Sequence, residues 1–88
     1  ILGLGDASEA KALHERALVI AERTYGPDHT LVANFMTNLG KAILALGDIS
    51  GAITLLERAL PIKEHSYGQE HPEVAVTLIT MGKATRTR

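Results

Sequence analysis

The chain has 88 residues, 45% hydrophobic but only 3% aromatic, so it is one small domain or a piece of a larger one, with a core built mainly from Leu, Ile, Val and Ala. Its 9 basic and 10 acidic residues leave a formal charge of −1, without the basic excess of a general nucleic-acid or anionic-membrane binder. With no cysteine, disulfide stapling, a Cys-based zinc site and a thiol nucleophile are excluded.

Residues Ile1–Leu4 read as the last turn of a truncated helix, and Gly5-Asp6 as a tight turn whose Asp can cap the next helix. That helix is predicted over about 7–25, where Ala10, Leu13, Ala17, Ile20 and Ala21 step by three and four residues and paint one apolar stripe. Tyr25-Gly26-Pro27 ends it, because glycine tolerates the left-handed conformation after a last helical turn. A second helix is predicted over 29–46, with Val32, Met36, Leu39, Ile43 and Leu46 on one face. Gly47-Asp48 is the next turn, and 49–66 the third helix, with Ala52, Leu55, Leu56, Ala59 and Ile62 as its stripe. Pro61 stands inside that helix and cannot donate to the Glu57 carbonyl, so a kink or local break is expected between the two. After Tyr67-Gly68, Pro72 suits a first helical turn capped by His71 or Glu70, and Val74, Leu78 and Met81 mark a fourth helix over 72–85. No two-residue alternation is sustained, so the fold class is all-α.

The four helices are two copies of one unit. A 42-residue offset pairs Gly5-Asp6 with Gly47-Asp48, Glu15-Arg16-Ala17-Leu18 with Glu57-Arg58-Ala59-Leu60, and Tyr25-Gly26 with Tyr67-Gly68. It goes on to pair His29 with His71, Val32-Ala33 with Val74-Ala75, and Gly40-Lys41-Ala42 with Gly82-Lys83-Ala84. An α-solenoid of antiparallel helix pairs, about two repeats long over 1–88, is therefore expected.

The run Met36, Leu39-Gly40, Ile43, Gly47, Ala52, Leu56 and Ala59 resembles the helix-turn-helix unit of the tetratricopeptide repeat family, and Asn38-Leu39-Gly40-Lys41-Ala42 is similar to its consensus. The 42-residue length, with Tyr-Gly-x-Asp/Glu-His at the bend, is similar to the kinesin-light-chain type of repeat. His14 stands where that pattern has a large apolar residue, and Thr85 stands where Ile43 does. The resemblance implies a right-handed superhelix whose concave groove takes a partner peptide. It would place Asn34, Thr37, Asn38 and Lys41 in that groove from the second helix, and Val76, Ile79, Thr80 and Lys83 from the fourth. Asparagine and lysine there can satisfy a peptide backbone or a carboxylate. Lys41, Lys83 and Arg86 would favour an acidic partner.

Catalysis finds little support. Of the histidines, His29 and His71 share one repeat position, which points to a structural role at a helix start. His65 and His71 with Glu64 and Glu70 are the nearest approach to a metal set, without the spacing of a zinc site. Glu15 with Glu22, and Glu57 with Glu64, share a helix face beside Arg16 and Arg58, which points to ion pairing rather than acid–base chemistry. Gly3-Leu4-Gly5 follows no strand and precedes no Lys-Ser/Thr, so it is not a phosphate loop. No enzyme activity, cofactor or metal is expected, and neither nucleic acid nor membrane as a partner.

The leading expectation is a protein-interaction module. The alternatives are a structural spacer within a longer array and self-association through open repeat ends, where Leu13, Leu18 and Ile20, or Leu78 and Met81, would be exposed. The chain begins at Ile1 with no signal-like segment and reads as an excised piece, with a cytoplasmic setting expected.

Overall fold

The computed structural model describes residues 6–87 of the chain, and Ile1–Leu4, expected to form a helix end, lie outside them. The order is α1 (Asp6–Tyr25), α2 (Thr30–Ala45), α3 (Ile49–Tyr67) and α4 (Pro72–Thr87), with no strand among the described residues. Each helix packs on its chain neighbour, and α2 also touches α4. Connections this short force packed neighbours to run antiparallel.

The same corner is built twice. Gly26 adopts φ +93° and its N–H donates to the Glu22 carbonyl at 3.0 Å; Gly68 adopts φ +91° and donates to Glu64 at 2.9 Å. This left-handed conformation, cheap only for glycine, closes the last turn of α1 and of α3. The chain then starts a new helix on a histidine. Nδ1 of His29 accepts the Leu31 N–H at 3.0 Å, and Nδ1 of His71 accepts the Glu73 N–H at 3.0 Å. Each histidine also lies against the tyrosine that closes the preceding helix, with ring centroids 4.8 Å apart for Tyr25–His29 and 4.5 Å for Tyr67–His71. The repeated histidine is thus a helix cap. The other turn uses Asp48, whose carboxylate accepts the Gly51 N–H at 3.0 Å and so caps α3.

The core runs between the first three helices. Leu18 and Ala21 of α1 meet Val32, Ala33, Met36, Leu39 and Ile43 of α2, with Ala52 and Ala59 of α3 closing the cluster. Small residues set the helix spacing: a Cβ placed on Gly40 would lie 3.3 Å from Leu56 Cγ, so even alanine there would make the Leu56 side chain give by a few tenths of an ångström. Leu13, Ile20 and Leu78 are exposed, whereas Leu18, expected with them on an open end, is buried in the core. Of the kink or break expected at Pro61, the break does not occur, since α3 is continuous from Ile49 to Tyr67. Pro61 and Glu57 both lie on the solvent side, where water can satisfy the carbonyl that lacks its donor.

One charge is buried. Lys63 is 1% exposed, and its ammonium reaches Glu73 at the start of α4 at 3.6 Å. Burial pushes the Lys63 ammonium below its ordinary 10.5; Glu73 opposes that shift and Lys41 adds to it. Between the lowered folded value and 10.5 the unfolded chain holds a proton that the folded chain has lost. Stability is therefore expected to rise with pH through that alkaline window, and Lys63→Met to remove the rise. Urea titrations of both proteins at several alkaline pH values check this, and parallel pH profiles would refute it.

Candidate functional site

The eight groove candidates are presented by α2 and α4, and the structure separates them. Lys41, Thr80 and Lys83 come together around a surface depression of about 280 Å³, with Leu44 and Ala45 as its aliphatic wall. Neither Leu44 nor Ala45 was singled out by the repeat pattern, because both fall outside the recurring identities. Lys41 and Lys83 are exposed and carry the charge of the site. Lys63 lies near Lys41 but is buried and paired with Glu73, so it adds no net charge to the site.

The threonines are turned inward. Thr37 is 3% exposed and its hydroxyl donates to the Ala33 carbonyl at 3.0 Å; Thr80 donates to Val76 at 2.9 Å. Both hydroxyl protons are committed to the helix, so these residues can offer a partner only an oxygen lone pair or a methyl group. Asn34 is half-buried, and its side-chain oxygen has no hydrogen-bond partner among the described residues. That oxygen is closed off from solvent, so a bound segment does not reach it while the helices stay packed as they are. Asn38 is exposed on the same helix. Val76 and Ile79 are exposed on α4 and do not line the depression.

Depressions of about 400 and 540 Å³ also exist, one beside Pro61 and one along the open side of α1. Neither brings repeat-equivalent basic residues together. Among the described residues no three His, Asp or Glu side chains converge as a metal set would. Glu22, one of the repeated carboxylates, pairs with Arg58 across α1 and α3 at 3.4 Å. That pair is half-open to water and worth at most about 1 kcal/mol. Among the described residues no helix is long and apolar enough to cross a membrane.

Comparison with known proteins agrees with this architecture. A family model described as tetratricopeptide repeat matches residues 1–65. No curated protein matches the chain. Tetratricopeptide repeats generally mediate protein–protein interaction and are generally non-catalytic. The twofold internal repeat, the all-α helix pairs and the family match lead to one conclusion: the chain belongs to the tetratricopeptide repeat family.

Proposed function

We propose that this chain is a non-catalytic interaction module that holds an extended, acidic segment of a partner protein in the groove between α2 and α4. The observation that carries this reading is the shared depression of Lys41 and Lys83, the same position in two successive units. Two ammonium groups one repeat apart, beside the Leu44 and Ala45 wall, suit alternating carboxylate and apolar side chains on a partner strand. The exposed Asn38 amide supplies a donor and an acceptor for the backbone of that strand. The 42-residue unit with its Tyr-Gly-x-Asp/Glu-His bend supports assignment to the kinesin-light-chain type of repeat.

The test is an acidic peptide library screened by fluorescence anisotropy, then repeated with the combined variant Asn34→Ala, Asn38→Ala, Lys41→Ala. Loss of about tenfold or more in affinity is expected, with a lysine contribution that shrinks as salt rises. Binding that ignores salt and survives the triple substitution would refute the groove.

A further inference from the structure

We infer that the buried pair of Lys63 and Glu73 positions α4 against α2, and so sets the spacing of the two lysines that line the groove. The consequence for binding rests on the groove reading above; the positioning of α4 does not.

α2 and α4 touch only lightly, and each packs on α3. Their spacing is therefore decided by how each sits on that shared helix. The two contacts differ in chemistry. α2 buries Val32, Met36, Leu39 and Ile43, side chains large enough to interlock with their neighbours. The buried side chains of α4 are Val74, Thr77, Thr80 and Ala84, all of them short. Short side chains leave a helix more than one acceptable setting, because close complementarity of large groups is what singles out one arrangement.

Lys63 supplies what that packing lacks. It is among the largest fully buried side chains of the chain, and its ammonium reaches Glu73, in the first turn of α4, at 3.6 Å. From α3 it also feels the charge of Lys41 on α2, so this one side chain lies among three helices. A buried ammonium moved away from its carboxylate loses its partner without regaining water, which is costly. A helix turns as a rigid body, so any rotation that carries Glu73 away carries Lys83 with it. The backbone at Glu73 is fixed as well. Its N–H donates to Nδ1 of His71 at 3.0 Å, and the His71 ring stacks on Tyr67 at the end of α3. That corner sets where α4 begins, and the ion pair sets how it is turned.

The first unit is an internal control. The positions equivalent to Lys63 and Glu73 hold Ala21 and Leu31, so both partners are charged in one unit and neither in the other. The ion pair stands at the joint whose buried side chains on the following helix are short. It is missing where Val32 and Met36 fill that role.

A distance between α2 and α4 tests this without any ligand. The chain has no cysteine, so Leu46→Cys and Thr85→Cys, at exposed positions by the C-terminal ends of α2 and α4, carry a pair of spin labels. Pulsed electron paramagnetic resonance should give one narrow distance distribution for this labelled parent. Lys63→Met removes the charge but keeps the bulk, so the melting temperature should hold or rise. The distance distribution should nevertheless broaden, or shift by about 2 Å. Glu73→Gln strands the ammonium; it should give the same distance change, with amide exchange in α4 faster by about tenfold. On the unlabelled chain, Lys63→Met should weaken acidic-peptide binding about three- to tenfold, because fewer molecules hold α4 in the competent setting. A distribution in Lys63→Met as narrow as the parent's, at the same distance, would overturn the inference, even if the melting temperature falls. A changed distance in a chain whose parent binds no acidic peptide would uphold the positioning of α4 and remove the groove reading alone. An unchanged distance beside tight peptide binding would do the reverse.

Discussion

Leu56→Ala is expected to remove about 2–5 kcal/mol of stability. Leu56 is fully buried and faces Gly40, where α3 packs tightly on α2. Cutting it back opens a cavity that its surroundings cannot refill, because Gly40, Ala52 and Ala59 have no side-chain length to swing into it. A chain of this size holds roughly 4–13 kcal/mol in all, so the loss is a large share of the total. Circular dichroism under urea is the measurement. Leu13→Ala, at a 57% exposed leucine one unit earlier, is the control and should change stability by no more than about 0.5 kcal/mol in dilute solution. Equal losses at the two sites would show that α3 does not pack on α2 as described.

Pro61→Ala is expected to act in the opposite direction, stabilising the chain by about 2–3 kcal/mol. α3 runs through Pro61 without a break, so the helix already bears the missing N–H and the crowding against the Glu57 carbonyl. Alanine restores the hydrogen bond and removes the ring. No packing is lost, since Pro61 is on the exposed side of the helix. In a domain of this length each kcal/mol moves the melting temperature by about 4–8 °C, so the gain should be obvious in a thermal scan. An unchanged melting temperature would mean that the backbone has relaxed around the proline at no net cost.

The all-α repeat was legible because its signals are local and occur twice. The spacing of Val32, Met36, Leu39 and Ile43 defines a buried helix face on its own, and Gly26 and Gly68 mark corners that few other residues could turn. Other features depend on what lies opposite a residue. Lys63 replaces the Ala21 of the first unit, and nothing in its neighbours along the chain signals that α4 will cover it and bring Glu73 within 3.6 Å. The repeated histidine was legible as a helix start, with His71 or Glu70 as the cap before Pro72, but the tyrosine ring against each histidine was not, because it lies across a corner. Leu18 reads in sequence like its neighbour Ile20, yet one is in the core and the other 60% exposed; the difference is the direction each takes around the helix relative to α2. In the candidate groove, the paired lysines could be chosen from the repeat. Leu44 and Ala45 could not, because which turn of α2 borders the depression depends on where α4 crosses it.

The neighbour-on-neighbour packing has a consequence in time. Each helix rests mainly on the one just before or after it in the chain, so the contacts that hold the fold link residues close in sequence. Only short loops have to close before those contacts form, and little entropy is spent ahead of the reward. Such a chain should reach its folded state within about a millisecond, as helical domains of low contact order do. It should also let go piecewise: α1 or α4 can peel away while the central α2–α3 pair persists, so hydrogen exchange should be fastest at the two ends and slowest beside Met36 and Leu56.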